Sequence, residues 1–134
     1  MSPETRTTAG VLLLTVVFIE YGGWFMLRVV RGGQPATDFQ KAFFRAGHAH
    51  AGVLVTLSLV SQLLVGAAGL SGVGAALANG IWAAAILMPA GFFLSAAGRD
   101  RTRPNQLIVL LYAGAIALAV GVISLGLGLL GGSA

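Results

Sequence analysis

The sequence contains no cysteine among its 134 residues. This absence excludes disulfide bonds, iron–sulfur clusters and thiolate metal sites, because each of them needs a cysteine sulfur. Charge is also scarce, since four acidic and eight basic residues make up only 9% of the chain, whereas soluble domains carry about 25%. The net positive charge arises from a shortage of acids rather than from a basic patch, so the composition gives no support to nucleic-acid binding.

Apolar residues make up 57% of the chain, and its mean hydropathy is +0.90. A helix needs about 20 apolar residues to cross the hydrocarbon core of a bilayer. Four stretches meet this requirement, over residues 9–30, 39–69, 75–98 and 105–130. The sequence therefore predicts one all-α domain over 1–134, a polytopic membrane protein whose four-transmembrane-helix bundle consists of two helical hairpins.

Residues that start and end helices lie in the connections between these spans. The glycine- and proline-containing stretch at 31–35 precedes Thr37, and Gln40 follows Thr37 at the spacing of a capping box. This pattern predicts that the second helix begins near Asp38. Gly98 is a stop signal at the end of the third span.

Positive charges indicate how the spans are oriented. Two connections carry almost all of them: Arg28, Arg31, Lys41 and Arg45 flank the first, and Arg99, Arg101 and Arg103 lie in the third. The second connection and the C-terminal stretch carry none, and the N-terminal stretch carries only Arg6. By the positive-inside rule, we expect a multi-pass protein of the cell (inner) membrane with both termini outside.

The second span carries three ionisable residues near its start. The segment FFRAGHAHAGVLVTL, residues 43–57, contains Arg45, His48 and His50. An ionisable residue at the centre of a span costs about 2.5 to 3.5 kcal/mol and usually marks a functional site. His48 and His50 point about 200° apart around a helix, so they cannot bind the same metal ion. One is expected to face its own four-helix unit and the other a neighbouring subunit, which favours a homo-oligomer.

Depth counting places further residues at the level of His48. Counted from the predicted helix ends at about 1.5 Å per residue, Glu20 and His48 both lie roughly 15 Å from the cytoplasmic ends, close to the midplane. The same count brings Met88 and Tyr112 to this level, so Glu20, Met88 and Tyr112 are candidates for groups that orient a ligand or relay protons. Alternatively, Arg45 reaches Glu20 in a structural ion pair, which leaves the histidines unexplained.

The stretch GHAHAG, preceded by Arg45 and followed by VLVTLSLV, resembles haem-bearing helices of subunit I of the haem-copper oxidases and nitric oxide reductases. The resemblance covers residues 43–57. It implies that His48 and His50 are haem or metal ligands on opposite sides of the helix, and that Arg45 contacts a haem propionate or Glu20. Because that subunit has three four-helix arcs with ligands on the second helix of each, the resemblance also implies a homotrimer of four-helix units, with a dimer as the other possibility. Oxidase activity is not implied, since one chain cannot supply the three histidines of a copper site.

Three functions are consistent with these residues. The leading hypothesis is a small membrane protein that binds haem b through His48 and His50, for electron transfer, redox or gas sensing, or haem handling. In a variant of it, a metal ion is bound instead of haem, and the candidate metal-binding residues are His48, His50 and Glu20. One alternative is a proton- or ion-conducting channel or carrier that uses Glu20 and His48, and another is a structural or assembly subunit of a larger membrane complex. No catalytic residue is identified, so the sequence does not decide whether the protein is an enzyme.

Overall fold

The computed structural model describes residues 2–131. Its helices are α1 (Pro3–Val30), α2 (Asp38–Ala67), α3 (Gly72–Ala78), α4 (Gly80–Ser95) and α5 (Val109–Gly131), with a 3-10 turn at Gln106–Ile108. These residues contain no strand, so the predicted all-α class is confirmed. With α3 and α4 taken together as one span, four helices are long and apolar enough to cross a membrane.

The start of α2 confirms the predicted capping box. The Thr37 hydroxyl accepts a hydrogen bond from the Gln40 backbone N–H at 3.2 Å, and Gln40 Oε1 accepts one from the Thr37 N–H at 3.1 Å. These two bonds satisfy N–H groups that a helix start leaves without intrahelical partners. Helix α2 accordingly begins at Asp38. Helix α1 begins at Pro3, earlier than predicted, because Ser2 caps it and its polar first turns are helical too.

The third span differs from its prediction, because two helices occupy the region expected as one helix over 75–98. The break lies at Asn79, whose N–H bonds to the Ala76 carbonyl three residues earlier at 3.2 Å. The next residue, Gly80, packs so closely on α5 that a Cβ atom there would overlap the Ala117 carbonyl oxygen. The break therefore coincides with a close approach between helices, which a count of apolar residues does not reveal.

The two positively charged connections lie together at one end of the fold. The side chain of Gln40, which is 5% exposed, donates hydrogen bonds to the Ala96 carbonyl at 2.9 Å and the Gly98 carbonyl at 2.8 Å. The Thr37 hydroxyl donates to the Arg101 carbonyl. The side chain of Gln40 thus caps the start of α2, and it also donates hydrogen bonds to carbonyl groups that follow the end of α4.

The helices pack side by side in chain order. Helix α1 packs on α2, α2 packs on α4, and α3 and α4 pack on α5. A buried apolar cluster lies where the first three spans meet and includes Leu12, Leu54, Val55, Ala84 and Met88. This side-by-side packing leaves much of the surface of the outer helices α1 and α5 exposed. Phe18 of α1, for example, is 76% exposed.

Glycines form the contact between the last two spans. A Cβ atom at Gly114 would lie 2.9 Å from the Met88 backbone nitrogen, and one at Gly121 would lie 2.8 Å from the Ile81 backbone nitrogen. Close approaches of this kind, made possible by small residues, are typical of helix packing in membranes. Helix α5 is therefore fixed against α4 by positions that do not accommodate a side chain.

The buried amide of Gln40 leads to a stability prediction. In Gln40→Glu, two donated hydrogen bonds are lost and a carboxylate oxygen faces two carbonyl oxygens in a buried position. We expect the free energy of unfolding to fall by about 3 kcal/mol, measured by circular dichroism in detergent. The control Gln106→Glu changes an exposed glutamine in the same way and should have little effect. Equal stability of the two variants would contradict a bridging role for Gln40.

Candidate cofactor site

An apolar groove lies between α1, α2 and α4, with a volume of about 570 Å³. Its apolar walls are formed mainly by large side chains, including Leu12, Phe18 and Ile19 from α1, Val55 from α2, and Trp82 and Phe93 from α4. Sites for small molecules and cofactors are typically concave and mostly apolar, with volumes of about 300 to 1,000 Å³ and few polar groups. The groove has these properties.

His48 is the titratable residue in the lining of this groove. Its ring lies against two glycines of α1, because a Cβ atom at Gly22 would be 3.4 Å from Nδ1 and one at Gly23 would be 3.5 Å from Nε2. The side chain is half-buried, and within residues 2–131 its ring nitrogens make no hydrogen bond and are not completely buried. A neutral imidazole with a free lone pair is a common ligand of haem iron and other metals.

His50 lies outside the groove, as the 200° separation predicted. Its Nδ1 is 2.7 Å from the Ala46 carbonyl oxygen, and its ring centroid is 4.9 Å from that of Phe92 on α4. Because a carbonyl oxygen only accepts hydrogen bonds, Nδ1 is the donor in this contact. Histidines bound to metals usually have this arrangement. Each histidine therefore contacts a helix of its own chain, so their opposite directions do not by themselves require a second subunit.

Glu20 and Arg45 do not join His48 in the groove. His48 lies beside Gly22 and Gly23, and Glu20 is exposed and does not line the groove. In the described part of the chain the only ion pair joins Lys41 and Asp38, at 3.3 Å. The Glu20–Arg45 ion pair considered from the sequence is therefore not formed. Arg45 instead lines a separate cavity at the α1–α2 connection.

Met88 and Tyr112 do not line the groove either. Met88 is buried in the apolar core, and Tyr112 is 61% exposed on α5. Over residues 2–131 no three His, Cys, Asp or Glu side chains are grouped to hold a metal ion. The described residues therefore give no support to a metal ion held by three or more such side chains. A haem needs fewer protein ligands, because its porphyrin already supplies four nitrogens to the iron.

Sequence reasoning did not find the walls of the groove. Trp82 and Phe93 lie on α4, which is apolar on all sides, so no amphipathic pattern distinguishes the side that faces the groove. On α1, Phe18 lies in a long apolar run that likewise gives no directional signal. Only the packing of α1, α2 and α4 brings these side chains beside His48.

No protein-family model, curated protein or solved structure matches this chain. The resemblance of residues 43–57 to haem-bearing helices therefore stays a prediction based on those residues alone. A functional interpretation must come from His48, His50 and the groove.

Proposed function

We propose that this protein is an integral membrane protein that binds one haem b in the groove, where His48 would bind the iron. The observation that carries the proposal is the half-buried imidazole of His48, which has no hydrogen-bond partner in the described chain and lines an apolar groove. Haem supplies one-electron and gas-binding chemistry at its iron. The chain would contribute the imidazole and the apolar walls that exclude water.

The membrane location has independent support. Four helices are long and apolar enough to span a bilayer, and both positively charged connections lie at one end of them. By the positive-inside rule this end faces the cytoplasm, so the termini of an inner-membrane protein would lie on the opposite side. The exposed apolar faces of the outer helices would then contact lipid or another subunit.

The groove suits the flat apolar macrocycle of a haem whose iron is bound by one protein side chain. Its volume of about 570 Å³ is in the range of cofactor sites, and Phe18 and Phe93 provide aromatic walls near His48. Among the lining residues, all of which are described, His48 is the only strong ligand for haem iron. A haem held by this one protein ligand would be able to bind a gas or an external ligand. Among the roles expected from the sequence, this favours gas sensing or haem handling over electron transfer.

A haem titration tests this proposal. Adding haem b to detergent-purified protein should produce a Soret band that saturates at one haem per chain, and carbon monoxide should shift this band in the reduced state. The same titration into empty micelles is the control for haem dissolved in detergent. A linear rise without saturation, equal to that of the micelles, would contradict the proposal.

We also propose that a second copy of the chain covers the outer face of α1. Glu20 is exposed there in the middle of an apolar span, and contact of an ionisable residue with lipid costs about 2.5 to 3.5 kcal/mol. A homo-oligomer removes this contact, and the resemblance of α2 favours a trimer over a dimer. The channel hypothesis has less support, because Glu20 does not line the groove that contains His48.

A further inference from the structure

A second cavity, distinct from the groove, lies at the α1–α2 connection. It has a volume of about 390 Å³. Its lining is apolar on one side, where Met26, Val29 and Val30 of α1 contribute, and cationic on the other, where Lys41 and Arg45 of α2 contribute. None of the lining residues is acidic. The cavity thus combines two positive charges with an apolar wall.

Little negative charge opposes these two cations. Arg45 is exposed and forms no ion pair within the described chain. Lys41 pairs with Asp38 at 3.3 Å, but the Asp38 side chain is fully exposed, and exposed pairs of this kind are weak. Arg28 and Arg31 at the end of α1 add further positive charge at the same connection. An anion therefore meets a favourable potential in this cavity.

The position of the cavity indicates which anion it accepts. It lies at one end of α1 and α2, two helices that are long enough to span a bilayer. The ends of such helices lie at the depth of lipid headgroups. Val30 is 71% exposed and extends the apolar wall towards the outside, where an acyl chain would run. A free phosphate would pair with the two cations, but it would leave the apolar wall of the cavity without a contact.

We propose that this cavity binds the phosphate group of an anionic phospholipid, with Lys41 and Arg45 contacting the phosphate and Val29 and Val30 contacting an acyl chain. Basic pockets between transmembrane helices on the cytoplasmic side bind anionic lipid headgroups in other proteins. The proposal rests on the membrane location proposed above but not on haem binding. It gives Arg45 a role separate from that of His48.

Lipid binding can be measured by native mass spectrometry of the protein with phosphatidylglycerol or phosphatidylcholine. The wild type should retain phosphatidylglycerol preferentially, and the double variant Lys41→Gln/Arg45→Gln should bind it about 10- to 30-fold more weakly. The control is Arg99→Gln/Arg103→Gln, which removes the same charge from the other connection at the same end. It should retain binding within about threefold.

Three results would overturn the proposal. Equal loss in the two double variants would indicate nonspecific attraction, and equal binding of the two lipids would show that the negative charge is not recognised. Displacement of the lipid by inorganic phosphate at equal concentration would identify a phosphate site without acyl-chain contacts. A visible spectrum of the same samples separates this test from the haem proposal, since lipid binding and Soret absorbance are read independently.

Discussion

Replacing His48 by alanine is expected to reduce the haem bound per chain at least about tenfold. His48 is the only strong iron ligand in the lining of the groove, so its removal leaves apolar contacts alone to hold the haem. The measurement is the ratio of Soret absorbance to protein concentration after purification from haem-supplied cells. Circular dichroism of the same sample verifies that the helices are still formed.

The matched control for this prediction is His50→Ala. Both substitutions remove one imidazole from α2, two residues apart, but only His48 faces the groove. We expect His50→Ala to retain more than about half of the bound haem, because apolar contacts and the His48 ligand are both preserved. Loss of haem in His50→Ala together with retention in His48→Ala would place the site on the opposite side of α2. Retention in both variants would show that neither histidine is an essential ligand.

A leucine at Gly121 is expected to lower the free energy of unfolding by at least about 3 kcal/mol. A Cβ atom at Gly121 would lie only 2.8 Å from the Ile81 backbone nitrogen and 3.1 Å from the Gly80 carbonyl carbon. Backbone atoms of a packed helix cannot move aside as the end of a side chain can. Helix α5 must therefore separate from α4, and thermal unfolding in detergent will occur at a much lower temperature.

Gly126→Leu is the matched control on the same helix. Within the described residues, a Cβ atom at Gly126 meets no atom within 4 Å, so its substitution leaves the contact with α4 intact. We expect the stability of this variant to lie within about 1 kcal/mol of the wild type. Similar destabilisation by both substitutions would mean that leucine disturbs α5 itself, rather than its contact with α4.

The elements that the sequence predicts well are those set by local interactions. The start of α2 at Asp38 follows from Thr37 and Gln40, which are three residues apart. The side chain of each accepts a hydrogen bond from the backbone N–H of the other. The opposite directions of His48 and His50 follow from helical geometry alone. Four apolar spans are visible from composition, because length and hydropathy determine them without any tertiary contact.

The features that the sequence misses depend on contacts between helices. The break at Asn79 lies beside the approach of Gly80 to Ala117, more than thirty residues away in the chain. Depth counting placed Glu20 near the level of His48, and His48 lies beside Gly22 and Gly23, two and three residues further along α1. A count along helix axes gives an approximate height and no direction around the axis. For this reason the count also did not reveal that Glu20 and Arg45 lie outside the groove.

The visible absorption spectrum of the protein, purified from cells supplied with excess haem, tests the central claim most directly. We predict a Soret band at one haem per chain, a shift of this band on reduction, and a further shift when carbon monoxide binds the reduced form. A protein that is folded by circular dichroism but shows no visible absorption band would contradict the assignment of the groove as a haem site.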